Sequence, residues 1–161
     1  MIRDLWKRIL KKRKVEVQET DIESILTGCR KIAVVGISDK PHRDSYQVAA
    51  FMKAMGYRIF PVNPHVKTVL GEPCYPDLLA IPEPVDLVDI FRRPEAVEAI
   101  VDQAIAKGAK AVWMQLGIVN EKAARKAAAA GLQVVMDRCW KMEYQARFGS
   151  HPQTDQPVKR P

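Results

Sequence analysis

The chain has 161 residues, 47% of them hydrophobic, and a formal charge of +7, a length suited to one domain with a sizeable core. The positive charge lies outside the body: residues 1–14 hold seven basic side chains against Asp4, whereas residues 15–150 hold 17 basic and 17 acidic ones, so no nucleic-acid platform is indicated. Cys29, Cys74 and Cys139 are odd in number, widely spaced and without a C-x-x-C pair, which argues against a disulfide framework or a zinc site, and the absence of a secretory signal pattern or an ~18-residue apolar run points to the cytoplasm.

Taken in order, the chain opens with a predicted helix over residues 1–14, where Ile2, Leu5, Trp6, Ile9 and Leu10 form an apolar stripe among basic side chains. Such a helix can lie on an anionic membrane surface or dock on a partner protein; the same stripe can pack on the chain's own body or on a second copy in a homo-oligomer. Residues 15–148 then read as the main domain. Thr20-x-x-Glu23 is a capping box opening a helix with Ile22, Ile25 and Leu26 on one face. Short apolar runs follow at 32–36, 57–62, 85–91, 111–115 and 132–137, separated by helical patterns. Ser45 is the expected cap of the helix after the first run, Pro94 suits the first turn of the one after the third, and Asn120 the cap of an alanine-rich one. A last helix is expected over 138–148, and residues 149–161 as a disordered tail. Strand runs alternating with helices give an α/β fold: a Rossmann-like three-layer sandwich on a five-stranded parallel sheet.

In such a sheet ligands bind outside the carboxyl ends of the strands, where strand order reverses. The residues to read are therefore Gly36-Ile37-Ser38 with Lys40, Arg43 and Ser45, then Val62-Asn63-Pro64, Phe91-Arg92-Arg93, Gln115 with Leu116-Gly117, and Arg138-Cys139. The first loop leads into a helix N-terminus that can hold a phosphate, with Lys40 and Arg43 adding charge; a plain turn with solvated cations is the bland alternative. Arg92 and Arg93 reach a second helix N-terminus and suit a phosphate or an adenine ring, or else are solvated with one paired to Asp86 or Asp89. Only Gly36 of a G-x-G-x-x-G fingerprint is present, and Asn63 stands where an NAD site wants an acid, so NAD is disfavoured. Cys139 follows Arg138 and precedes a helix, a setting in which a redox-reactive thiol and a thiol simply packed against the helix are both open.

The segments AVVGISDKPHRDSY, GYRIFPVNP, VDLVDIFRRPE, AVWMQLGI and GLQVVMDRC resemble, in order and spacing, those of the small stand-alone CoA-binding proteins, Rossmann domains related to the CoA-binding domain of the succinyl-CoA ligase α subunit. What the resemblance implies is coenzyme A, or an acyl-CoA, along the strand-end crevice. Gly36, Ile37 and Ser38 would then be the pyrophosphate loop, Lys40 and Arg43 phosphate neighbours, Val62, Asn63 and Pro64 the adenine and ribose wall, and Phe91, Arg92 and Arg93 the opposite lip. The phosphorylated histidine of the ligase lies in a second domain for which this chain lacks the length, and no P-loop, nucleophile elbow or H-E-x-x-H motif is present. The expectation is a CoA-binding module with no catalytic residues of its own and no metal, the alternative being an acyl-CoA-processing enzyme or a ligase subunit that needs a partner.

Overall fold

The computed structural model describes residues 19–153, so the amphipathic stripe of residues 1–14 and the end of the tail lie outside the described residues. All five apolar runs are strands, the first shifted by one residue and the others trimmed at their ends: β1 Lys31–Val35, β2 Arg58–Val62, β5 Leu87–Ile90, β6 Ala111–Met114 and β7 Gln133–Val135, with a small β3 (Thr68–Val69) and β4 (Glu72–Pro73) between the second and third. The five long strands are parallel and lie in the order β2-β1-β5-β6-β7. Chain order therefore reverses between β1 and β5.

The helices are α1 Glu19–Gly28, α2 Asp44–Ala54, α3 Pro94–Lys107, α4 Glu121–Ala129 and α5 Trp140–Phe148. Strand side chains point alternately to the two faces. Ile32 and Val34 accordingly join a core with Ile22, Ile25 and Leu26 of α1, Val48 and Met52 of α2, and Trp140 and Tyr144 of α5. Ala33 and Val35 join the opposite core with Val97, Val101 and Ala104 of α3 and Ala123, Ala124 and Ala127 of α4. Helices cover both faces, which makes the three layers of an α/β Rossmann-like sandwich. Each fully buried aliphatic side chain contributes about 1.5–3 kcal/mol.

The helix starts separate two kinds of expectation. Asn120 caps α4, its side-chain oxygen accepting from the Ala123 N–H at 2.9 Å, and Pro94 occupies the first turn of α3. Ser45 is not a cap. Helix α2 begins two residues earlier than a Ser45 cap would place it, at Asp44 with Arg43 in the cap position, and the buried Ser45 hydroxyl accepts instead from the Ser38 N–H at 3.0 Å. The loop after β1 folds back over the first helical turn, so the Ser45 hydroxyl serves the loop and not the helix. Likewise Glu19 and Thr20 are already helical, so Thr20 falls inside α1 rather than ahead of it.

The β3–β4 hairpin was not foreseen. Its turn is Leu70-Gly71, with φ of 54° and 75°, the doubly left-handed pair a tight hairpin needs. Glycine suits it, but leucine at the first position hides it from a sequence reading. Lys53 of α2 holds the strained corner, donating to the Leu70 carbonyl at 2.6 Å and pairing with Glu72 at 3.1 Å. At the other end of the chain, Ser150–Gln153, inside the segment expected to be disordered, are fixed by Gln145 Nε2 to Ser150 Oγ (3.0 Å) and Tyr144 Oη to the His151 carbonyl (2.6 Å).

Candidate functional site

The reversal of strand order brings the carboxyl ends of β1 and β5 side by side. Gly36 follows β1 with φ +86°, its N–H donates to the Val62 carbonyl at 2.9 Å, and the Phe91 N–H donates to Val35 at 2.8 Å. A Cβ at Gly36 would stand 2.5 Å from the Phe91 carbonyl oxygen and 2.8 Å from Arg92 Cδ. The glycine is thus required by the approach of two protein backbones.

Around this point three hollows share Phe91. One of about 510 Å³ is lined by Gly36, Ser38, Lys40, Arg43, Asp44, Ser45 and Phe91. Another, shallow and about 710 Å³, is lined by Phe91, Arg92, Arg93, Glu95 and Ala96. The third, about 310 Å³, shares Asp44 and Phe91 with the first and runs past Gln115, Leu116, Ile118 and Cys139 to Met142. The fold therefore brings Gly36, Ser38, Lys40, Arg43 and Ser45 together as expected, with Arg92 and Arg93 beside them and Gln115 on the far wall.

Other expected residues have different surroundings. The side chains of Ile37 and Val62 are buried in the two cores, leaving only their backbone toward the loop. Asn63 is a brace: its Nδ2 donates to the Ile37 carbonyl at 2.8 Å and its Oδ1 accepts from the His65 N–H at 2.9 Å. Pro64 beside it is exposed. Asn63 is a neutral amide whose oxygen already serves the His65 N–H, so it does not stand in for the carboxylate that a ribose diol takes from an acid.

The electrostatics favour an anion. Among the described residues none of Lys40, Arg43, Arg92 and Arg93 forms an ion pair, whereas Lys53, Lys110 and Lys126 each have a carboxylate partner. Asp86 is engaged with Lys110 at 3.3 Å and with the N–H groups of Arg30 and Lys31, so neither arginine uses it. Helices α2 and α3 have no side-chain cap, unlike α4; the first-turn N–H groups of α2 and the dipoles of both are available to a phosphate, whereas in α3 Pro94 has no N–H and Ala96 already donates to the Arg93 carbonyl at 2.9 Å. Asp44 is the acid in the polar hollow and opposes this charge. Such a set suits a ligand with several phosphates and an uncharged remainder.

Sequence reasoning offered Asp89 only as a partner for Arg92 or Arg93, and the structure pairs it with neither. It lies on β5, fully buried, and its Oδ1 accepts from Gln115 Nε2 at 2.6 Å, while Gln115 Oε1 accepts from the Trp140 N–H at 3.4 Å. Burial pushes its carboxyl up to about 8, against smaller opposing effects of the hydrogen bonds from Gln115 and Ile90. The only signal was an aspartate inside an otherwise apolar run, and it fixes the orientation of the Gln115 amide. Trp113 is packed within the core and donates to the Arg138 carbonyl at 2.8 Å. Cys139 is half-buried at the start of α5, and the Arg138 guanidinium beside it bonds Glu143 at 3.1 Å.

Comparison with known proteins identifies the family. A family model described as a CoA binding domain matches residues 30–145. The uncharacterized protein YneT of Bacillus subtilis (strain 168) is 37% identical over 126 residues, covering 78% of this chain and 93% of that one. A solved structure of a hypothetical protein from Pyrococcus horikoshii OT3 superposes with a TM-score of 0.78 at 44% identity, covering 81% of this chain and 92% of the other. An ADP-forming acetate–CoA ligase of Archaeoglobus fulgidus is 30% identical over 95 residues, which is 57% of this chain and only 14% of the ligase. The chain belongs to the family of CoA-binding domains.

Proposed function

We propose that this protein binds coenzyme A, free or acylated, along the crevice between β1 and β5, as a cytoplasmic binding module without complete catalytic machinery of its own. The observation that carries the reading is the position of Phe91: it lines three adjoining hollows, two of which hold Lys40, Arg43, Arg92 and Arg93, all free of ion pairs among the described residues. Gly36 and Ser38 with the first turn of α2 hold the pyrophosphate, Lys40 and Arg43 neutralise it, and Arg92 and Arg93 meet the 3′-phosphate as bidentate donors. Ile37 and Val62 contribute backbone alone, Ser45 fixes the loop through Ser38, and Asn63 with Pro64 shapes the wall nearest the adenine and ribose. Gln115 closes the far end. Residues 15–148 form the binding domain, and residues 1–14 serve membrane-surface, partner or self-association contacts.

Thermal denaturation with CoA, dephospho-CoA and NAD tests this reading. A ligand that binds only the folded state stabilises it by about 2.7 kcal/mol at a hundredfold excess over Kd. CoA gives the largest shift, dephospho-CoA a smaller one and NAD the least. Equal shifts for all three contradict the proposal. A second reading, a ligase subunit completed by a partner, draws on the similarity to part of the acetate–CoA ligase; acyl-CoA turnover that appears only when a partner is added would favour it.

A further inference from the structure

We propose that the hollow beside Cys139 receives the acyl chain of a short-chain acyl-CoA, so that the protein prefers an aliphatic thioester to free CoA. This rests on the CoA reading above and extends it from the nucleotide to the substrate class. The hollow shares Asp44 and Phe91 with the polar one. A ligand anchored by its phosphates in the polar hollow can therefore pass its neutral end across Phe91 into this one.

Its lining differs in kind from that of its neighbour. Phe91, Leu116, Ile118, Cys139 and Met142 supply apolar surface, and Lys141 turns its ammonium over the Phe51 ring, 5.4 Å from the centroid. Among the described residues four large apolar side chains are exposed, and two of them, Leu116 at 65% and Met142 at 63%, line this hollow. Neither is accounted for by the two cores. An acyl chain would cover both, and methionine adapts readily to chains of different length. The volume of about 310 Å³ stands at the small end of ligand sites, which selects a short chain.

One polar group is present at the wall. Gln115 is 3% exposed, and its amide carries two N–H donors, one of which is committed to Asp89 at 2.6 Å. The other remains for a thioester carbonyl, a group free CoA does not have.

Calorimetric titration of the full-length protein with CoA, acetyl-CoA, butyryl-CoA and hexanoyl-CoA tests the proposal, on the wild type and on the double variant Leu116→Ser, Met142→Ser. Both positions are exposed, so the variant folds. Affinity in the wild type rises with chain length by up to about fourfold per methylene, the factor expected for burying one, until the hollow is full. In the variant the ratio of butyryl-CoA to CoA affinity falls toward one. CoA binding without any gain from the acyl chain overturns the proposal and leaves the CoA reading standing, as does an equal gain in wild type and variant. Failure of every ligand to bind the folded wild type removes the CoA reading itself, and the acyl pocket with it.

Discussion

Gly36 and Phe91 meet so closely that a single carbon added to the glycine would stand 2.5 Å from the phenylalanine's carbonyl oxygen. The contact joins the ends of the two central strands at the point where chain order reverses. Gly36→Ala must both adopt a left-handed φ of +86° and displace backbone, and the expected loss is about 2–4 kcal/mol. Urea denaturation measures it. A loss below about 0.5 kcal/mol would show that the strand ends yield easily and that the crevice is not rigidly set.

Asp89 gives the fold a pH dependence. Burial pushes its carboxyl up to about 8, so the folded chain keeps a proton that the unfolded chain releases near the ordinary value of about 4. Its favourable contribution is whole below about pH 4 and is lost as pH rises toward 8. Asp89→Asn removes the titration, keeping an oxygen for the Gln115 amide. Relative to wild type, the variant gains on the order of 1–3 kcal/mol between pH 5 and pH 8, a few degrees in Tm. A gap between the two melting curves that is the same at both pH values would refute the assignment.

The cysteines separate by environment. Cys29 is buried and its thiol is pushed up to about 11 by burial, with Asp86 adding to the effect; Cys139 is half-buried and lines the apolar hollow. A maleimide added to the native protein labels Cys139 at least tenfold faster than Cys29 because the thiolate is the nucleophile and must be reached. Saturating CoA slows labelling at Cys139 alone. Cys74, also half-buried, is the internal control. Protection of all three by CoA would indicate global stabilisation rather than occupancy of the hollow.

Arg92 lies against Gly36 through its side-chain carbons, which keeps its charged end near the crevice. Arg92→Ala and Arg93→Ala each weaken CoA binding by about 1.5–3 kcal/mol where a charge-assisted hydrogen bond is lost. The affinity difference between CoA and dephospho-CoA shrinks in the same variants. If that difference survives intact in both, the 3′-phosphate lies elsewhere.

How far the sequence carries can be seen at individual residues. The five strands and the two-sided core were legible because a parallel sheet covered on both faces leaves its strands as short apolar runs, and Pro94 and Asn120 mark helix starts by their own chemistry. Ser45 was misread because a serine near a helix start can serve either the helix or the loop before it, and the choice depends on how the chain folds back. The Leu70-Gly71 hairpin was missed because its strands are two residues long and its leucine is held by Lys53, a residue distant in sequence. At the candidate site the polar loop and the arginines were legible as strand-end residues. The apolar hollow was not, since Leu116, Ile118 and Met142 come together only when β6 and α5 are placed side by side.

The central claim is tested most directly by calorimetric titration of CoA into the wild-type protein and into Lys40→Ala, Arg43→Ala. The account predicts one CoA bound per chain, with affinity that falls at least tenfold in the double variant and declines with added salt, as paired charges in an open crevice require. A folded wild-type protein that takes up no CoA, or a double variant that binds it as tightly as wild type, would contradict it.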